Sequence, residues 1–74
     1  MLRDYIYDTK FQLWVFDDSI NILNYLEIIS FDDDKIILKY PNGILSINGK
    51  DLVITKMLSS ELLVNGIIKN IEFR

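Results

Sequence analysis

The acidic side chains are the groups in this sequence most able to do chemistry, because the chain contains no His and no Cys. Three carboxylates stand together at 32–34, two stand at 17–18, and the other six, among them Asp51, Glu61 and Glu72, are single. Without His or Cys, no Ser-His-Asp or Cys-His nucleophile can be assembled. The chemistry left to consider is cation binding or catalysis by paired carboxylates.

Neither use fits the spacing of these acids. A calcium loop alternates its ligands as D-x-D-x-D, with Gly sixth and Glu twelfth, whereas Asp32, Asp33 and Asp34 are consecutive. A catalytic carboxylate pair must face each other across a cleft, and a chain this short offers little cleft. Zinc would need Cys or His ligands. The sequence therefore predicts solvated acidic turns, with no catalytic residues, no metal, no cofactor and no enzyme activity.

The length and net charge of the chain limit which kinds of protein it can be. The 74 residues form one small domain, 1–74, of which residues 1–10 are a strand, a turn of helix or a loose tail. Eight basic and eleven acidic residues give a net charge of −3, with Lys scattered singly, so nucleic-acid binding is not expected. No apolar run forms a signal peptide or spans a bilayer. We expect a cytoplasmic protein without direct membrane insertion, stabilised by self-association or docking.

All three Gly residues follow an Asn, and "LSINGKDLVI" is echoed by "LLVNGIIKNI". Asn-Gly between apolar stretches is a strong hairpin signal. We therefore predict chain reversals at Asn42-Gly43, Asn48-Gly49 and Asn65-Gly66. The same glycines are too dispersed to form a phosphate loop. The predicted fold is all-β, a curled antiparallel meander of six or seven short strands forming a roll or a partly open barrel.

The stretch at 20–31 admits two structures. Ile22, Leu23, Leu26 and Ile29 lie on one face of a possible helix over 20–29, for which Ser19 could be the N-cap. The abundance of Ile and the β-rich flanks favour instead two short strands bent at Asn24-Tyr25.

Several strands carry apolar residues on both faces. In "FQLWVF", Phe11, Leu13 and Val15 alternate with Trp14 and Phe16. Either the sheet closes on itself, or the second face is an interface, and the pattern leaves both possibilities open. The candidate interface residues are Phe11, Trp14, Phe16, Ile29 and Ile37.

Residues 13–73 resemble the YabP/YqfC family of sporulation proteins from endospore-forming Firmicutes. The resemblance lies in an SFDD-like turn, a G-x-L-x-I-x-G stretch and an I-x-G-x-I-x-x-I-x-[Phe/Tyr] ending. The matching positions are Ser30, Phe31, Asp32 and Asp33, then Gly43, Leu45, Ile47 and Gly49, and finally Val64, Gly66, Ile68, Ile71 and Phe73.

This resemblance implies a small mother-cell protein of spore formation without known enzyme activity. Its expected partners are a second copy of itself or a membrane protein of sporulation, and it brings no catalytic residues. The alternative, from a different functional class, is a small ligand- or RNA-binding β-barrel module, in which Trp14, Phe16 and Tyr25 would stack on a single-stranded base.

Overall fold

The computed structural model describes residues 10–74, which form one open antiparallel sheet of six strands with no helix in that range. The all-β prediction is confirmed. The helix considered for 20–29 is wrong, because this stretch forms two strands separated by Asn24, whose φ is 63°. The strands are β1 Gln12–Val15, β2 Ser19–Leu23, β3 Glu27–Phe31, β4 Lys35–Tyr40, β5 Gly43–Met57 and β6 Glu61–Phe73.

The strand order is β1-β2-β6-β5-β4-β3. Strands β3 to β6 follow one another as a meander, whereas the β1–β2 hairpin pairs with β6 instead of β3. The long strands β5 and β6 therefore run through two half-sheets, each with its own neighbouring strands. The first half-sheet contains β1, β2, residues 61–65 of β6 and 53–57 of β5. The second half-sheet contains β3, β4, residues 43–48 of β5 and 68–73 of β6.

The reversals predicted at Asn48-Gly49 and Asn65-Gly66 are wrong, because β5 and β6 continue through both. These pairs instead mark bends between the half-sheets, where the β5–β6 register shifts at Asn48/Gly49 and again at Lys50/Val53. Asn-Gly permits backbone conformations that other residues rarely adopt, but it does not determine whether the chain reverses there. The turns that begin and end β5 lie instead at Pro41-Asn42, next to the reversal predicted at Asn42-Gly43, and at Ser59-Ser60.

Glycine is required at both bends. A Cβ on Gly66, whose φ is 140°, would lie 2.7 Å from the carbonyl oxygen of Asp51. A Cβ on Gly49 would clash with the carbonyl oxygen of Ile67. The two long strands approach each other at the bends more closely than any side chain allows.

The two acidic turns hold these bends through their backbones. The carbonyl oxygen of Asp18 accepts a hydrogen bond from the Gly66 N–H at 2.9 Å. Those of Asp33 and Asp34 accept from the N–H groups of Leu52 at 2.8 Å and Gly49 at 3.0 Å. The backbone of the turns therefore stabilises the bends, while the five carboxylate side chains at 17–18 and 32–34 are exposed.

A single apolar core joins the half-sheets. Burying each Ile or Leu side chain contributes about 1.5–3 kcal/mol, so a sheet curled around one shared core is stabilised by residues from both halves. Tyr25, in the link between β2 and β3, lies at the rim, and its hydroxyl donates to the carbonyl oxygen of Leu58 at 2.9 Å. The buried residues are Ile20, Ile22, Tyr25, Ile36, Leu38, Leu45, Ile47, Leu52, Leu62 and Val64.

Candidate functional site

The outer face of the first half-sheet carries exposed apolar side chains. Residues paired directly across antiparallel strands share a face, so the register identifies which residues are neighbours. Trp14, Phe16 and Val53 are each more than half exposed, at 53%, 55% and 54%, and Leu63 is half-buried. One row across this face is Trp14, Asn21, Leu63 and Lys56, and the next is Phe16, Ser19, Asn65 and Val53.

Asn21 lies between Trp14 and Leu63 in the first of these rows. Its Oδ1 is buried and accepts no hydrogen bond within the described residues. By contrast, the Oδ1 of Asn65 accepts from the Thr55 hydroxyl at 2.7 Å. A buried acceptor without a donor is costly, and a donor brought by another molecule would satisfy it.

The outer face of the second half-sheet is mostly polar. The row at its centre is Ser30, Ile37, Ser46 and Glu72, and the rows beside it include the pairs Glu27–Lys39 and Lys35–Asn48. Of the apolar residues that the register places on this face, Ile37 is half-buried and Ile44 is 39% exposed. Opposite charges on adjacent strands suit a solvated surface.

The five predicted interface residues do not form one surface. Trp14 and Phe16 lie together on the outer face of the first half-sheet, as their alternation predicts. Phe11 faces inward, where its ring lies 4.9 Å from that of Tyr40 and packs against the core. Ile29 is exposed at a bulge of β3, and Ile37 lies on the polar face.

Sequence reasoning missed three exposed apolar residues of the first half-sheet, which are Val15, Val53 and Met57. Val53 was not singled out, because the register shifts of β5 break the alternation from which its face could be read. Val15 was grouped with Phe11 and Leu13, on the face opposite Trp14 and Phe16. It pairs with Ile20 on that face, yet it is 52% exposed because β1 is the outermost strand.

The single acids remain apart in the fold. Asp51 lies in the bend of β5, whereas Glu61 and Glu72 lie near opposite ends of β6. Glu61 pairs with Lys56 at 3.7 Å and Glu72 with Arg74 at 3.2 Å. Among residues 10–74, no group of three acids is arranged to hold a metal ion, and no pocket is found.

The family of this chain follows from its similarity to known proteins. The model of the YabP family matches residues 15–74. The chain belongs to the YabP family. Its membership indicates a sporulation-related protein. A search of curated proteins finds no significant match.

The residues that carry the YabP resemblance serve the architecture. Leu45, Ile47 and Val64 are buried in the core, and Gly49 and Gly66 form the bends. The SFDD-like segment forms the end of β3 and the turn that holds the bend of β5. Among residues 10–74, no helix has the length and apolar content needed to cross a membrane.

Proposed function

We propose that this YabP-family protein is a non-enzymatic interaction module of spore formation. It works in the mother-cell cytoplasm, through self-association or through contact with a membrane protein of sporulation. The observation that carries the proposal is the contrast between the two outer faces. Trp14, Phe16 and Val53 are exposed on one, while charged and polar side chains cover the other. Exposed aromatic residues are typical of interaction surfaces.

The acids support a non-catalytic role. Acid–base catalysis needs groups that converge on one reacting atom, and Asp51, Glu61 and Glu72 are distributed along two strands. Glu61 and Glu72 are also engaged with neighbouring cations. The proposed role therefore depends on surface shape and backbone edges rather than on reactive groups.

A complementation assay tests this function. The gene is deleted from the source bacterium, and heat-resistant spores are counted after the wild type, a Trp14→Ser/Phe16→Ser variant or an Ile29→Ser/Ile44→Ser variant is restored. We expect the deletion and the Trp14/Phe16 variant to reduce spore yield, and the matched control from the second half-sheet to restore it. Normal yield in the deletion strain would refute a role in spore formation.

A ligand- or RNA-binding module is the second candidate, and the exposed Trp14 and Phe16 are the observation that favours it. Tyr25, the third residue expected to stack on bases, is instead buried in the core. Each base stacked on an aromatic ring contributes about 1–3 kcal/mol, but a strand also needs cations along its backbone. On this outer face Lys56 is close to the carboxylate of Glu61. Titration of the Trp14 emission with single-stranded RNA separates the two functions, since salt-sensitive binding would support the RNA-binding module.

A further inference from the structure

The outer face of the first half-sheet extends onto the bends of β5 and β6. Ile67 lies two residues beyond Asn65 on β6, and it pairs with Lys50 of β5, so both side chains belong to this face. Ile67 is 55% exposed, as much as Phe16. Exposed apolar side chains therefore stand on β1, β5 and β6 of one face, and the bends add a lysine beside them.

The three rows of residues that cross this face carry complementary groups at their two ends. From the β1 side to the β5 side, the end members are Trp14 and Lys56, then Phe16 and Val53, and finally the Asp17-Asp18 turn and Lys50. The turn belongs to the third row because the Asp18 carbonyl oxygen accepts from the N–H of Gly66, next to Ile67. An aromatic ring attracts a cation, apolar side chains pack together, and carboxylates attract Lys. Each end therefore suits the opposite end of its own row.

A two-fold axis that lies in the contact plane, parallel to the strands, turns each row end for end onto the same row of a second copy. We propose that the protein forms a dimer in which the outer faces of two first half-sheets pack together about this axis. The strands of the two sheets are then aligned, as in a β-sandwich, and the contact closes with two copies. This inference rests on the proposed function and names its partner as a second copy of the chain.

The first two rows supply the apolar part of the contact. Trp14 lies over Lys56 of the second copy, so an ammonium group faces the indole ring. Phe16 lies over Val53 of the second copy, and each side chain removes the other from water. Trp14, Phe16 and Val53 are all more than half exposed in the single chain, so their burial favours association. Each of these contacts occurs twice because of the two-fold axis.

The third row supplies the charge contact that selects the axis. Lys50 lies over the Asp17-Asp18 turn of the second copy, and within residues 10–74 neither Lys50 nor these acids form an ion pair of their own. A two-fold axis perpendicular to the strands would instead bring Lys56 over Val53 and move Lys50 away from the acidic turn. That arrangement desolvates lysines against apolar groups without a compensating acid from the second copy. The charges therefore favour the axis parallel to the strands.

The size of the contact sets the expected strength of the dimer. Strands about 4.8 Å apart and rows about 6.8 Å apart, over four strands and three rows, give roughly 400–500 Å² on each copy once side chains are included. A standard interface buries about 800 Å² on each partner, so this one lies at the weak end. We expect a dissociation constant of about 10–100 µM.

The first test is sedimentation equilibrium of the full chain across that concentration range, with Trp14 emission as a second readout. Trp14 is the only Trp, so a blue shift on association reports the exclusion of water from this face. Val53→Glu places a carboxylate against Phe16 of the second copy and should weaken association at least tenfold. The matched control is Ile44→Glu, on the outer face of the second half-sheet, which should associate like the wild type.

Charge exchange tests the axis. Lys50→Glu alone, or Asp17→Lys together with Asp18→Lys, makes both charge contacts of the dimer repulsive, so each variant should associate about tenfold more weakly. In a mixed dimer of the two variants both contacts are attractive again, so an equimolar mixture should associate like the wild type. A purely structural effect of either variant would not be reversed by mixing.

Three results would overturn this inference. They are a wild type that is monomeric throughout the range, dimerisation unaffected by Val53→Glu, and charge variants that mixing does not restore. The spore assay separates these results from failure of the proposed function. A monomeric protein whose spore yield depends on Trp14 and Phe16 acts through this face on another protein, whereas normal spore yield in the deletion strain refutes the function itself.

Discussion

The two half-sheets share one core and differ in what they show to the outside. Facing inward, each contributes fully buried Ile and Leu, such as Ile22 from the first and Leu45 from the second. Facing outward, the first presents Trp14 and Phe16, while the second presents charged pairs such as Glu27–Lys39. The inner faces therefore explain why the chain folds as one unit, and the difference between the outer faces is the basis of the proposed interaction surface.

The largest expected effect comes from the shared core. Ile22→Ala and Leu45→Ala should each lower the free energy of unfolding by about 2–5 kcal/mol, because each leaves a cavity in the same cluster. Urea titrations followed by circular dichroism and by Trp14 emission check this. The two probes should report one transition in each variant. Separate transitions for the two half-sheets would contradict a common core.

The bends between the half-sheets come next. Gly66→Ala should cost about 1–3 kcal/mol, because its φ of 140° and the nearby Asp51 carbonyl disfavour any side chain. Gly49→Ala should cost a similar amount through its clash with the Ile67 carbonyl oxygen. The control is Asn48→Ala, beside Gly49, with a change within about 0.5 kcal/mol. Equal stability of all three variants in urea titration would show that the bends tolerate side chains.

Substitutions on the outer faces separate stability from association. Trp14→Ser/Phe16→Ser should weaken self-association at least tenfold, because it removes the two exposed aromatic side chains of the first half-sheet. The matched variant, Ile29→Ser/Ile44→Ser, changes two exposed side chains of the second half-sheet and should associate like the wild type. Sedimentation at matched concentrations measures both. If the second variant dissociates instead, the interaction surface lies on the other half.

The smallest expected effect is at the rim. Tyr25→Phe removes the hydroxyl that donates to the Leu58 carbonyl oxygen, and should lower the free energy of unfolding by about 1 kcal/mol. It should leave association unchanged, since neither Tyr25 nor Leu58 takes part in the pairing of β1. A urea titration at one concentration and sedimentation across several would show both results. A loss of association would mean that the rim and β1 are coupled.

Local sequence patterns predict the strands and much of the outward surface. Alternation in "FQLWVF" correctly places Trp14 and Phe16 away from the core, and the β-rich flanks of 20–31 correctly favour two strands over a helix. Alternation fails where the register shifts, which is why Ile29 and Val53 could not be assigned to a face from spacing.

The long-range pairing could not be read from the sequence. Asn48-Gly49 and Asn65-Gly66 satisfy the local rule for a hairpin, but β5 and β6 continue because each gains partners on both sides. Of those partners, β2 is distant in sequence from the bend of β6 with which it pairs. Phe11 likewise packs against Tyr40, a contact between residues that no local pattern relates.

The most direct test of the difference between the halves is residue-resolved amide hydrogen exchange at low and high protein concentration. We predict that the amides of Trp14 and Phe16, which face β2 and exchange when β1 detaches, become more protected as concentration rises, because the second copy holds β1 on the sheet. The amides of β3 should not respond to concentration. Concentration-dependent protection on β3, or none on β1, would contradict the proposal that the chain associates through its first half-sheet.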